Sequence, residues 1–269
     1  MSTRFSPDYS RVSVLTAMVL LTYALTPLIK APHSTFEIVV AGINLVFAVN
    51  LNTAIAILAA GLTATGMDWL LRAHPSLQPG ESKEHWLLPT LTTLILGITL
   101  YTLPAGTLWW MGFGIGGILL VAVFLAEFVV VDPTDTRYPL ATAGLTGLSF
   151  TLYLVLSVAL RAAGVRLFLL VPALFLASGL VALRTLHLRL NEQWEFAWAA
   201  GIALIATQLG ASLHYWPLTP LQYGLLLLGP VYALTELAAS LKEGNPFHRA
   251  VVEPAVMLAI VCGMTIWFH

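Results

Sequence analysis

Runs of about twenty apolar residues recur along the whole chain, separated by short stretches rich in Pro, Gly and charge, the pattern of helices that cross a hydrocarbon core of about 30 Å. Nine spans are predicted: Ser10 to Ile29, Leu51 to Leu71, Trp86 to Leu103, Leu108 to Val131, Pro139 to Ala162, Leu167 to Leu188, Phe196 to Tyr215, Leu221 to Leu241 and Ala250 to Phe268. The first run is longer than the roughly 7–15 residues of a signal-peptide core and reads as a retained membrane helix. Thr35 to Leu71 is the awkward segment, because a single helix there, rising about 1.5 Å per residue, would be about 55 Å long. Asn44, Asn50 and Asn52 fall in its middle. The expectation is a short interfacial or re-entrant helix from Thr35 to Val49 ahead of the true span, with one long tilted helix as the alternative.

Composition agrees with this pattern. Of 269 residues, 58% are hydrophobic and 9% charged, and mean hydropathy is +0.87, whereas a soluble domain carries about 25% charged residues. The reading is an all-α, polytopic transmembrane helix bundle forming a single integral membrane domain over residues 1–269. Twelve Lys and Arg against thirteen Asp and Glu leave no basic excess for phosphate neutralisation, so no nucleic-acid partner is expected. The single cysteine, Cys262, reads as a small hydrophobe within an apolar run.

Cytoplasmic loops collect Lys and Arg, and loops alternate sides, so the basic residues test the span count. With the N-terminus inside, Arg4, Arg11, Arg72, Lys83, Arg137, Arg184, Arg189, Lys242 and Arg249 fall on the cytoplasmic side, and Lys30, Arg161 and Arg166 outside. This bias predicts a chain oriented N-in and C-out, and the expected location is the cell (inner) membrane. The two outer loops without Lys or Arg are rimmed by Tyr101, Trp109, Trp110, Tyr215, Trp216 and Tyr223, residue types that favour the membrane interface.

Laying Glu84–Glu127 over Gln193–Glu236 gives equal spacing, each window holding a span, a short aromatic-rimmed loop and a second span. A polar turn with Asp132-Pro133 or Asn245-Pro246 follows each glutamate, then Arg137 or Arg249. The expectation is a parallel repeat with halves 9–131 and 138–241, followed by a final helix over 250–268. Parallel repeats of this kind often hold a site at their interface.

Ionisable groups inside a membrane are costly and are candidates for function. Asp68 precedes Arg72 by one helical turn, a spacing that closes a helix end with an ion pair. Glu127 and Glu236 lie one to two turns inside the cytoplasmic ends of their spans, deep enough to need partners, with Arg184, Arg72 or Arg249 as structural ones. The functional alternative is a cytoplasm-facing polar vestibule of Asp68, Arg72, His85, Glu127, Arg184, His187, Glu236 and Glu253. The histidines on that side, His74, His85, His187 and His248, show no two-His helical spacing, so no metal and no other cofactor is expected. Gln208 and Ser212 are expected to bond between helices. The run Gly112-Phe113-Gly114-Ile115-Gly116-Gly117 lacks the preceding strand of a phosphate loop and reads as a helix packing surface. Pro172, Pro230 and Pro254 are expected to interrupt or bend their spans.

Nine spans arranged as four, four and one, with polar residues at the cytoplasmic ends of spans two and six, resemble the layout of the intramembrane UbiA prenyltransferases. That family carries Asp-rich motifs after those spans to bind Mg²⁺ and diphosphate. Here the stretches read Gly66-Met67-Asp68-Trp69-Leu70-Leu71-Arg72 and Arg184-Thr185-Leu186-His187-Leu188-Arg189. One aspartate supplies too few hard oxygen ligands for such a mechanism. Three functions are left: an accessory or scaffolding protein binding lipid or apolar pigment between helices, a small proton- or cation-coupled transporter, and a membrane-embedded lipid-modifying enzyme. No nucleophile and base stand at diagnostic spacing, so the reading leans away from an enzyme. The expected partners are membrane lipids and, for an accessory protein, other membrane subunits.

Overall fold

The computed structural model describes residues 7–28, 34–40, 43–49, 51–74, 85–190 and 193–267. Arg4, Lys30, Asn50, Lys83 and Glu84, used in the sequence reading, lie outside these. The fold is a helical bundle, and the chain divides into two compact units, Met1–Ala141 and Thr142–His269.

The first unit contains α1 (Tyr9–Ala24), the strands β1 (Ser34–Val40) and β2 (Ile43–Val49), then α2 (Leu51–Leu71), α3 (Leu87–Thr102) and α4 (Thr107–Val130). Asp8 caps α1, its side chain accepting the Ser10 backbone N–H at 3.0 Å, which satisfies one of the donors that a helix start leaves over. Each of α1–α4 packs on two others, with α1 against α2 and α4, and α3 against α2 and α4. The buried stripe Val12, Leu15, Val19 and Tyr23 repeats at helical spacing and meets Ala59, Met67 and Leu70 of α2 and Leu120, Phe124 and Phe128 of α4.

The second unit follows from α5 (Tyr138–Ala162), whose first turn contains the unit boundary, and holds α6 (Leu167–Arg189), α7 (Phe196–Leu213), α8 (Pro220–Lys242), the single turn α9 (Phe247–Ala250) and α10 (Val252–Trp267). Helix α8 is the hub, touching α6, α7, α9 and α10. It starts at a capping box in which Thr219 and Gln222 satisfy each other's backbone N–H groups and Pro220 takes the first turn, a position that needs no N–H donor. Helix α5 reaches it through Phe150, whose ring meets Tyr232 edge-on at 5.1 Å.

Among the described residues, seven helical segments are long and apolar enough to cross a membrane: α2, α4, α5, α6, α7, α8 and Phe247–Thr265. The other two predicted spans, α1 and α3, are apolar helices of 16 residues, short of the roughly 20 that span a hydrocarbon core. Helix α1 ends at Ala24 and gives way to a tight turn over Thr26–Leu28, where Pro27 cannot supply a helical N–H.

Three sequence expectations are corrected. The stretch from Thr35 to Val49 is not an interfacial or re-entrant helix. It forms an antiparallel pair running from Ser34 opposite Val49 to Val40 opposite Ile43. Thr35, Phe36, Ile38, Val39, Val40, Ile43, Val46, Phe47 and Val49 are the β-branched and aromatic types that favour a strand, so residue type outweighed overall hydropathy. Helices α6 and α8 run continuously through Pro172 and Pro230, whereas the last span does break, at Val251 between α9 and α10, one turn before Pro254, which cannot donate to the Ala250 carbonyl. Two of the aromatics assigned to interfacial rims, Trp109 and Tyr223, are core residues, and the Tyr223 hydroxyl donates to the Gly210 carbonyl at 3.0 Å.

The glycine run of α4 packs as expected. A Cβ on Gly116 would lie 2.2 Å from Leu96 Cδ1 of α3, and one on Gly112 would lie 2.8 Å from Leu103 Cδ1. The missing side chains therefore set how closely α3 and α4 approach.

Hydroxyls inside the helices mostly bond to their own helix. Thr16, Thr63, Thr92, Ser149, Ser157, Ser178, Thr207 and Thr235 each donate to the carbonyl four residues back. Ser212 donates to Gln208 O in the same way, a bond within α7 where one between helices was expected. In a medium without water this is the nearest acceptor available to each hydroxyl.

Candidate functional site

Four of the eight candidate residues lie in each unit. In the first, Glu127 is one turn from the end of α4 on the stripe that also buries Leu120, Val123 and Phe124, so the helical period carries it inward. Its side chain is 0% exposed. His85, immediately before α3, places Nδ1 at 2.8 Å from Glu127 Oε2. With the proton on Nδ1 the imidazole donates to the carboxylate, and this leaves Nε2 as the basic nitrogen. A carboxylate that fixes an imidazole in this way orients a proton acceptor.

His74, which follows α2, is buried beside this pair, its ring edge-on to Phe128 at 4.7 Å. Burial holds His74 below the ordinary imidazole value, a pull only partly offset by the negative charges of Asp132 and Asp135 and reinforced by His85. Asp132 and Asp135 are themselves buried in the turn after α4. Asp132 Oδ1 accepts the backbone N–H and the hydroxyl of Thr134, and Asp135 takes the backbone N–H, Nε and Nη2 of Arg137. These bonds build the turn into α5 and raise the pKa of the Arg137 guanidinium above its ordinary value, its hydrogen bond with Asp135 being the main cause. Sequence reasoning left His74, Asp132 and Asp135 out of the candidate set. The signal available was the spacing Asp132-x-Thr134 and Asp135-x-Arg137, in which an aspartate reaches a backbone N–H two residues on. Asp68 and Arg72 close the end of α2 as an i,i+4 pair at 2.6 Å, with Arg72 exposed.

In the second unit Glu236 of α8 pairs with Arg189 at the end of α6, whose Nε also holds Glu243 Oε1 at 2.6 Å. Lys242 reaches Glu195, the residue capping α7, at 2.6 Å. These charges at the helix ends thus tie α6, α7 and α8 together. Arg184 and His187 are buried in α6, and the His187 ring stacks on Trp194 at 4.2 Å. Glu253 is exposed in the first turn of α10, where the helix dipole favours a negative charge. The partners expected for the two glutamates were Arg184, Arg72 or Arg249. Within its own unit Glu127 meets His85, and Glu236 meets Arg189, two bases at helix ends that the sequence reading did not pair with them.

Among the described residues, no group of three or more His, Cys, Asp or Glu side chains is arranged to hold a metal ion. Hollows line the first unit's helices. One of about 370 Å³ lies between α1 and α2 along Val14, Leu15, Met18, Leu62 and Trp69. Another of about 380 Å³ lies between α1 and α4 along Leu20, Phe113, Ile118 and Val121. Both are open-sided and almost wholly apolar.

Paired charges at the ends of helices long and apolar enough to cross a membrane define a polytopic helical membrane protein. The chain belongs to the family described as a protein of unknown function, DUF5656, whose model matches residues 31–268. No curated protein and no solved structure matches it.

Proposed function

We propose that this chain is an accessory protein of the cell (inner) membrane, N-terminus in the cytoplasm, which holds lipid in the grooves between its helices. The observation that carries this reading is the pair of open apolar grooves flanking α1, each shaped by aliphatic and aromatic side chains that an acyl chain can cover. The ion pairs support it: Glu236 with Arg189 and Glu195 with Lys242 join the ends of different helices, and Asp68 with Arg72 closes the end of α2, a use of charge that stabilises a scaffold. We also propose that the units descend from a parallel duplication, in line with the glutamate near the end of α4 and that in α8 each meeting a base from its own unit.

The test is native mass spectrometry of the full chain purified in mild detergent, with lipid and pigment extraction. Stoichiometric lipid, retained through purification, is the expected result. A protein that emerges stripped of lipid and takes up none when lipid is added back would refute the reading.

A second reading, a small proton-coupled transporter, is favoured by one observation: Glu127 is fully buried and bonded to His85, the arrangement of a protonation site. Glu127→Gln would abolish proton-coupled uptake under that reading and leave lipid retention unchanged under the first.

A further inference from the structure

The groove between α1 and α2 has a polar mouth. One turn beyond Val14 along α1, Arg11 donates from Nη1 to the Trp69 carbonyl at 2.9 Å, and its guanidinium lies 5.0 Å over the Trp69 ring. Trp69 O is one of the last carbonyls of α2, which lack partners within the helix, and a cation there is favoured by the helix dipole. These contacts hold Arg11 in place without using its five N–H donors up. One turn further out, Asp8 Oδ2 stands 3.5 Å from Arg11 Nε. Both side chains are partly open, Arg11 31% and Asp8 49% exposed.

The order along α1 is therefore apolar groove, positive charge, negative charge, with about 4.5 Å of helix rise between successive positions. Thr65, the polar side chain in the groove wall, donates to Gly61 O and Leu62 O of its own helix, so the groove offers an acyl chain a dry surface. Gly66 lets α1 come close enough to form its floor: a Cβ there would lie 2.1 Å from Leu15 Cδ1.

From this order we propose that the α1–α2 groove binds a zwitterionic phospholipid with a primary amine in its headgroup, an assignment that rests on the lipid-holding reading above. One acyl chain lies along Val14, Leu15, Met18 and Leu62, the phosphodiester meets Arg11, and the ammonium meets Asp8. The charge sequence of such a headgroup is the complement of Arg11 followed by Asp8. An anionic glycerol headgroup would bring no cation to Asp8.

The test uses the full chain in mild detergent, offered equal amounts of phosphatidylethanolamine and phosphatidylglycerol with the same acyl chains, and counts bound lipids by native mass spectrometry. Wild type is expected to retain phosphatidylethanolamine preferentially. Arg11→Ala should cut its retention about tenfold, equivalent to about 1.4 kcal/mol. Asp8→Asn, which keeps a good helix cap, should erase the preference between headgroups while leaving total retention in place. Val14→Trp, at an exposed position that tolerates a large side chain, fills the groove and should reduce both lipids; it decides the matter if Arg11→Ala does not fold. Wild type that binds both lipids equally, or variants that keep wild-type retention and preference, would overturn this assignment and leave the general lipid-holding reading standing. Wild type that binds neither lipid would overturn both.

Discussion

His85→Ala removes an imidazole that bonds at 2.8 Å to a carboxylate with no exposed surface. A hydrogen bond to a charged group is worth about 1.5–3 kcal/mol, and the pair is screened from water, so the upper half of that range is expected. For a chain of this size, about 1 kcal/mol moves Tm by about 2–4 °C, which makes the expected fall about 5–12 °C. Glu127→Leu removes the other partner and replaces it with an apolar group of similar size on an apolar stripe. The double variant should be less destabilised than the sum of the two single ones, because each single change removes the same hydrogen bond and the double removes it only once. The assay is intrinsic tryptophan fluorescence during heating in detergent at one fixed scan rate, since unfolding of such proteins is often irreversible and the midpoint depends on the rate. Effects that simply add, with a coupling below about 0.5 kcal/mol, would refute the claim that the two side chains act as a pair.

Three further outcomes follow from the same geometry. Because burial lowers the His74 pKa, the unfolded chain binds more protons than the folded one as pH falls from about 7 through the ordinary imidazole value of about 6.5. Stability should therefore drop on acidification, and His74→Phe, which keeps a ring against Phe128, should flatten the slope of Tm against pH in that window. Gly116→Ala should destabilise by about 1–3 kcal/mol through overpacking, whereas Gly114→Ala, with nothing within 4 Å of its Cβ, should match wild type in the same melting assay. Arg189→Ala should lower Tm more than Glu236→Gln, since Arg189 alone bridges both Glu236 and Glu243; solvent reaches Arg189, so each lost bridge is expected to cost no more than about 1 kcal/mol.

The site was only partly legible in the sequence. Asp68 and Arg72 could be paired from their spacing because an i,i+4 contact is set by the helix itself. Glu127 could be recognised as buried and in need of a partner, but not as the partner of His85. Forty-two positions separate the two, and their meeting depends on how α3 packs on α4. Arg189 was missed as the partner of Glu236, and His74 as a buried group, for the same reason, because a side chain at a helix end finds its neighbours through the turn and packing of other elements.

What the sequence determined by itself was local. Apolar runs of helix length, broken by Pro, Gly and charge, placed the helices to within a few residues, and the four-residue glycine spacing of α4 marked the face that α3 approaches. Hydropathy also misled where it was used without residue type, since the β-branched stretch before α2 is as apolar as a helix but pairs as two strands. Only the tertiary structure decided that His85 meets Glu127 and Arg189 meets Glu236, which aromatics are core and which are exposed, and that Arg11 and Asp8 stand in order at the mouth of an apolar groove. The physical reason is range: hydrophobic period and helix capping act over a few residues, whereas ion pairing and groove formation arise from side chains that only the packing of separate helices brings together.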